Sequence, residues 1–343
     1  MNSRRQRIKP EMEPEAKLDE FGLIAKYFAP LSGDESFGLK DDAALISSPE
    51  NHQLVITQDA IAAGVHFFAD DLASLVAKKA LRVNISDLIA KGAHPHSFSL
   101  ALGLGSDCDE DWVASFAKGL AEDCAKYNIV LSGGDTFKTG GGAVISITAI
   151  GYVPEGNYTS RLGAKVGDSL YVTGTIGDAA LGLLVRQGKL ANIEADEREQ
   201  LTDSYLLPKP PLEAVPLIRE FATASMDISD GLVADCNKLC AASGVSANIK
   251  LDNVPLSKFA ACIITADSKY LESALTGGDD YQILFSVSEN DEETVFEEAK
   301  KLGVSVTKLG SLFEREQGVS LVDADGNTIV FDKTGYNHFG DSA

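Results

Sequence analysis

Aspartates recur in short motifs set in otherwise apolar stretches: Asp41-Asp42-Ala43, Thr57-Gln58-Asp59, Asn84-Ile85-Ser86-Asp87, Gly133-Gly134-Asp135-Thr136 and Asp227-Ile228-Ser229-Asp230-Gly231. A sixth, Gly277-Gly278-Asp279-Asp280-Tyr281, repeats the Gly-Gly-Asp theme late in the chain. Buried carboxylates are costly unless paired, and few cationic side chains stand near these in sequence. Two carboxylates about 4 Å apart repel by roughly 4 kcal/mol at an effective dielectric of 20. If the motifs converge, they need divalent cations between them. Mg²⁺ takes a few carboxylates, several waters and the oxygens of substrate phosphates. The expected chemistry is phosphoryl transfer or hydrolysis.

Each motif alone has a plainer reading. Asp41-Asp42 suits a solvated turn, and Thr57-Gln58-Asp59 suits a strand end meeting solvent. Ser86-Asp87 is odder, because Ser and Asp compete with helical hydrogen bonds and favour caps. In Gly133-Gly134-Asp135 the glycines let backbone approach a bulky ligand, with Asp135 at the lip. Asp227-Ile228-Ser229-Asp230 precedes a helix that Ser229 or Asp230 suits as N-cap. Four of the first five motifs end a strand or open a helix, where active sites of α/β proteins lie. The usual nucleotide fingerprints are absent, with no Gly-x-x-x-x-Gly-Lys-Ser/Thr and no kinase His-Arg-Asp or Asp-Phe-Gly. Thr173-Gly174-Thr175-Ile176-Gly177 lacks a lysine and reads as a strand-to-helix turn.

The elements that must position these groups follow from hydrophobic periodicity. Short helices are expected over Phe21–Phe28 and Asp178–Gln187, and longer ones over Leu72–Ala90, Asp111–Lys126, Asp230–Ser243 and Glu292–Leu302. In Leu72–Ala90, Asn84, Asp87 and Lys91 share one face. Strands are expected at Leu54–Thr57, ending at Asp59, then at Phe98–Leu104, Ile129–Leu131 and Ala143–Val153. A second set comprises Ser169–Thr173, Gln282–Val287, Val304–Leu309, Val319–Val322 and Thr328–Phe331. His94 and His96 flank Pro95 in an expected turn. Pro154-Glu155-Gly156 marks a boundary, giving two α/β domains over 19–154 and 155–343 after a loose extension over 1–18. A chain of 343 residues is long enough for two domains, each with its own core.

Acidic residues number 51 against 30 basic, a net charge of −21, which repels nucleic acid and anionic membrane surfaces. No stretch reaches the roughly 18 apolar residues of a membrane helix, and the basic opening Arg4-Arg5-Gln6-Arg7 is not followed by the apolar run of a secretory signal. A cytoplasmic location is expected. Five cysteines make no disulfide framework, and Cys236 and Cys240 suit reduced thiols on a helix. No zinc pattern is present.

Taken in order, the motifs resemble the thiamine-monophosphate kinase family. The matching stretches are Asp19-Glu20-Phe21-Gly22-Leu23-Ile24, Asp41-Asp42, Thr57-Gln58-Asp59 with Gly64-Val65-His66-Phe67, and Lys79-Ala80-Leu81 with Asn84-Ile85-Ser86-Asp87. They continue through Gly133-Gly134-Asp135-Thr136, Ser160-Arg161, Asp227-Ile228-Ser229-Asp230-Gly231, Gly277-Gly278-Asp279-Asp280-Tyr281 and Gly335-Tyr336-Asn337-His338-Phe339. The resemblance implies the two-domain fold shared with aminoimidazole ribonucleotide synthetase and selenophosphate synthetase, α/β (α+β) in class, and a homodimer through the N-terminal domains. It implies phosphorylation of thiamine monophosphate by ATP with several Mg²⁺ ions, K⁺ being an open further requirement. Asp42, Thr57, Gln58, Asp59, Asp87, Asp135, Asp227 and Asp230 are then expected at the metal. Gly134, Asp135, Arg161 and Ser229 are expected at ATP, with Asp135 and Arg161 catalytic. His66, Asp279 and Tyr336 are expected at thiamine monophosphate. Lys40, Gln58, Lys91 and Asp279 depart from the family's usual Gly, Thr or Ser, Met and Glu.

Rival readings are the two synthetases, a non-catalytic cation binder and a metal-dependent phosphohydrolase. Against selenophosphate synthetase, no Cys precedes Cys108. Against a cation binder, no Asp-x-Asp-x-Asp-Gly loop occurs. The strands of the first domain are apolar on both faces, which calls for a covering partner.

Overall fold

A computed structural model describes residues 18–190, 193–314, 318–331 and 335–336. The expected extension before Leu18, and Asn337, His338 and Phe339, lie outside the described residues. In the first half, α1 (Glu20–Leu23) is capped by the Asp19 carboxylate on the Gly22 N–H at 2.8 Å. It runs into a wider turn over Ile24–Phe28. Then come β1 (His52–Ala62), α2 (Ala73–Ala90), β2 (His94–Leu104), α3 (Glu110–Tyr127), β3 (Val130–Lys138) and β4 (Val144–Pro154). The strands form one sheet in the order β1-β4-β2-β3, with only the β2–β3 pair parallel.

Several strands exceed the expectation. The β1 ladder with β4 continues to Ala62 opposite Val144, so Asp59 lies within the strand and not at its end. Gly133-Gly134-Asp135 is likewise inside β3, opposite Ser99, Leu100 and Ala101. His94-Pro95-His96 belongs to β2 and not to a turn, and the register breaks between Pro95 and Ser97, where a proline is tolerated.

The second half contributes β5 (Ser169–Thr173), α4 (Asp178–Arg186), α5 (Ala195–Leu206), α6 (Val215–Phe221) and β6 (Ala222–Asp227). It continues with α7 (Leu232–Ser243), β7 (Val245–Lys250), α8 (Lys258–Ala266), α9 (Lys269–Thr276) and β8 (Ile283–Val287). It closes with α10 (Glu292–Leu302), β9 (Val306–Glu314), β10 (Val319–Val322) and β11 (Thr328–Ile329). The second sheet has the order β11-β10-β7-β9-β5-β8-β6. Neither Ser229 nor Asp230 caps α7. Gly231 holds that position with φ 112°, and the Asp235 carboxylate accepts from the backbone N–H groups of both Ser229 and Asp230.

The first half shares its core with one face of the second sheet, while the second half keeps further clusters of its own. Helix α2 packs one side on β1, β4 and β2 and the other on β6 and β8. Leu81, Ile85 and Leu88 join Tyr171, Ile218, Phe285 and Val295 in one apolar cluster. Period-two alternation sorts the second sheet: Tyr171 and Phe285 face this cluster, while Leu170, Val172 and Leu284 face a second one under α7. A buried helix leaves its polar side chains no water. Arg82 meets this by pairing both its Nε and a terminal nitrogen with Asp123 at 2.6 and 2.8 Å, and by donating to the Pro208 carbonyl. Removing one partner of a buried pair typically costs about 3–5 kcal/mol. Asp123→Ala is expected to lower unfolding free energy by about that amount, and urea denaturation at neutral pH measures it.

Candidate active site

Three segments from both halves meet at the junction of α2 with the second sheet. Strand β1 turns Thr57 and Asp59 toward α2. The Thr57 hydroxyl donates to Asp87 Oδ2 at 2.5 Å, and the Asp59 N–H donates to the side-chain Oδ1 of Asn84 at 2.9 Å. The end of β6 brings Asp227, and the following turn brings Ser229 and Asp230. That turn pairs with the 277–282 segment: Asp279 N–H donates to Ser229 O, Tyr281 N–H to Ile228 O, and Ile228 N–H to Gln282 O. Tyr336 joins here, its N–H bonding to Asp230 O.

The electrostatics record the crowding. Asp59 remains solvent-accessible at the rim, yet loss of hydration and then the charges of Asp87 and Asp230 push its pKa up to about 6. Burial, then Asp87 and Asp235, pushes Asp227 well above the usual carboxylate range. Burial, then Asp279, Asp59 and Asp227, does the same to the Tyr281 phenol. Asp59, Asp87, Asp227, Asp230 and Asp279 thus occupy one neighbourhood. Lys238 pairs with Asp230 and Asp235. Lys91 donates to Ser225 O at 2.6 Å, and burial followed by the nearby Arg161 brings its pKa down to about 8 against the pull of Asp227 and Asp87. Arg161 is exposed beside this group.

A second acidic group stands apart. Asp41, Asp42, Gly133, Gly134 and Asp135 line an open cleft, with Ile24, Phe28 and Leu39 as its apolar wall. Phe37, Gly38 and Leu39 all have positive φ (51°, 65° and 56°) in the turn that delivers Asp41 and Asp42. Lys40 has φ −106°, so its backbone asks for no glycine. The two glycines of β3 differ in duty. A Cβ on Gly134, at φ +155°, would lie 1.9 Å from the Leu100 carbonyl, so it is needed for packing. A Cβ on Gly133 would meet nothing within 4 Å, so packing does not demand a glycine there, and the backbone of both lines the cleft.

Strands β1 and β3 lie on opposite edges of the sheet. Three strand spacings put Asp135 roughly 14 Å from Asp59 across the sheet. The expected metal set is therefore split, with Asp59, Asp87, Asp227, Thr57 and Asp230 in one group and Asp42 and Asp135 in the other. Gln58 belongs to neither. Strand alternation turns it away from Thr57 and Asp59, and its Nε2 donates to Ser146 Oγ at 3.0 Å. The donors that do assemble are all hard oxygens, which suits Mg²⁺. Among the described residues no three His, Cys, Asp or Glu close on a point by themselves.

Two other expected residues have additional duties. The Asp279 carboxylate, at φ +73°, pairs with the buried Lys79 at 3.0 Å. His66 Nδ1 accepts from the Ala62 N–H at 3.1 Å, so its proton sits on Nε2. Asp280, the neighbour of Asp279, points elsewhere. Its buried carboxylate accepts from Gly177 N–H at 2.9 Å and caps the start of α4. The glycine turn before α4 thus holds the chain's own carboxyl group where a phosphate could bind, and burial pushes that carboxyl well above the usual range. Lys79 and Tyr281 stand in the quoted motifs, but the sequence alone assigned neither a role. Lys79 had a signal, because it falls on the apolar side of a helix with Val76, Ala80 and Val83.

This architecture matches described families on both sides of the junction. Residues 40–153 match the N-terminal domain, and residues 165–323 the C-terminal domain, of AIR synthase related protein. Within that class the chain belongs to the thiamine-monophosphate kinases. It is 40% identical to the thiamine-monophosphate kinase of Caulobacter vibrioides over 93% of this chain and 90% of that one. It is 38% identical to that of Salmonella typhimurium over 93% and 98%. The solved structure of AaThiL complexed with AMPPCP and TMP is similar with a TM-score of 0.74 and 32% identity, covering 93% of this chain and 97% of that one. Hydrogenase maturation protein HypE in complex with ATP, at 19% identity and TM-score 0.73, is alike in fold.

The raised pKa of Asp59 fixes a pH dependence. Its folded value of about 6 exceeds an unfolded value near 3.9, so the native state binds the extra proton between them. Without divalent cation, this contribution to stability is present below about pH 4 and lost as pH rises through about 6. Thermal melts in EDTA across that window are expected to show a smaller decline for Asp59→Asn than for wild type. Equal declines would remove Asp59 from the crowded group.

Proposed function

We propose that the protein transfers the γ-phosphoryl group of ATP directly to the phosphate of thiamine monophosphate, giving thiamine diphosphate and ADP. The observation that carries this reading is the gathering of Asp59, Asp87, Asp227 and Asp230 from both halves beside Arg161, in a chain so similar to named thiamine-monophosphate kinases. The acceptor phosphate has a second pKa near 6 and is already anionic at neutral pH. No side-chain base is needed to activate it. The main task is to bring two phosphorylated anions together in line.

Thr57, Asp59, Asp87, Asp227 and Asp230, with Asp42 and Asp135, would hold several Mg²⁺ ions, whose chemistry is neutralisation of phosphate charge. Arg161 supplies a cation to the nucleotide phosphates. Ser229 and the open backbone at Gly133-Gly134 approach the nucleotide. His66, through Nε2–H, and Asp279 and Tyr336 face thiamine monophosphate. Asp135→Asn removes one anion with almost no change in shape. Its kcat is expected to fall by orders of magnitude while the metal-free protein melts no lower than wild type. ADP release with and without thiamine monophosphate separates transferase from hydrolase. ADP formed equally in its absence contradicts the proposal.

The working form in this reading is a homodimer. On the sheet face away from α2, Leu54 and Ile56 are 43% and 63% exposed, with the half-buried Ile150 beside them. A second copy on this face would cover them with two-fold symmetry. It would also answer the separation of Asp135 from Asp59, if one copy supplies what the other lacks. Free thiols at all five cysteines suit a cytoplasmic setting, and among the described residues no helix is long and apolar enough to cross a membrane. Sedimentation at micromolar concentration is expected to give a dimer that Ile56→Glu dissociates. A wild-type monomer would contradict this.

A further inference from the structure

Lys79 lies on α2 with its side chain 2% exposed, and its ammonium reaches three separate segments. It pairs with Asp279 Oδ2 at 3.0 Å in the second half and donates to the His66 backbone carbonyl at 3.1 Å in the first. Its Nζ also sits 3.8 Å from the ring centroid of Tyr205 on α5. The Tyr205 hydroxyl donates to the same His66 carbonyl at 3.0 Å. The ammonium is therefore served by a carboxylate, a carbonyl and a π face, with no need of water. Asp279 carries a positive φ of 73°, a backbone state that a non-glycine residue keeps only when its surroundings hold it.

We infer that Lys79 is the positioning residue of the acceptor site, a single buried cation that sets the His66 loop and the Asp279 turn relative to each other. Lys79 itself does not meet substrate. It acts through two residues that do, and so rests on the reading of His66 and Asp279 as acceptor contacts. Because the two lie in different halves of the chain, the grip on the acceptor depends on a contact 200 residues apart in sequence. Asp279 thereby has a structural partner as well as a ligand-facing role, and losing Lys79 affects both segments together.

The test uses the full chain and three variants, Lys79→Met, Lys79→Arg and Tyr205→Phe. For Lys79→Met, KM for thiamine monophosphate is expected to rise about tenfold or more while KM for ATP stays within about twofold. Lys79→Arg, which keeps the charge, is expected to recover part of the loss. Tyr205→Phe removes one hydroxyl and is expected to raise the same KM a few-fold, so the idea stays testable if Lys79→Met does not fold. Equal rises in both KM values, or no rise in either, overturn the assignment. Hydrogen exchange without any substrate gives an independent arm. Amides over 62–68 and 276–281 are expected to exchange faster together in Lys79→Met, and acceleration of one segment alone overturns the coupling. A wild type that forms no thiamine diphosphate would refute the proposed activity, while the exchange arm would still judge Lys79.

Discussion

The structure depends on one constraint: α2 is buried on nearly all sides yet carries polar side chains along its length. An uncompensated buried polar group costs on the order of 1–3 kcal/mol, and an unpaired charge more. The buried polar residues of the helix have therefore drawn partners to themselves. Arg82 holds Asp123 and the Pro208 carbonyl, Asn84 binds the Asp59 N–H and the Ala80 carbonyl, and Asp87 accepts from Thr57. Ser86 reaches toward the Tyr281 carbonyl, and Lys91 donates to Ser225. These demands fix β1, β6 and the 277–282 turn around one helix end. The active-site neighbourhood is the place where those obligations meet.

The acidic group works in the opposite sense. Its carboxylates are held close by the fold, and loss of hydration, with their mutual repulsion added to it, lifts Asp59 and Asp227 out of the normal range. Folding energy from the shared apolar cluster supports this crowding, and in the proposed function a cation with a phosphorylated ligand would relieve it. The geometry would then be unfavourable for the protein alone and favourable for the loaded complex. Such preorganisation limits rearrangement at the moment of reaction.

Much of this was legible in the sequence where a single element decides the outcome. Strand Ser169–Thr173 and helix Glu292–Leu302 fall where periodicity put them, because each has one consistent pattern of burial. The motifs identified the aspartates because carboxylates in apolar contexts need a reason. What was not legible depends on partners distant in sequence. Gln58 sits between two site residues, and only the pleat shows it facing the other way. Gly133-Gly134-Asp135 resembles a strand exit, but pairing with β2 carries the strand through it. Helix α5 was overlooked because its face is mostly polar, with Leu201 and Tyr205 as its buried anchors. Shared burial of α2 erases the one-sided pattern that marks a surface helix, so its contact with the second half left no trace in periodicity.

The shared core also has a consequence in time. Helix α2 is complete by residue 90, but Phe285 and Val295, which cover its other side, come some two hundred residues later. At ribosomal rates of about 5–20 residues per second, that side stays uncovered for roughly 10–40 s during synthesis. Throughout that interval the nascent chain presents an apolar helix face on which Lys79 still lacks the Asp279 carboxylate. A shield over that face during translation would therefore protect the chain from association before its core can close.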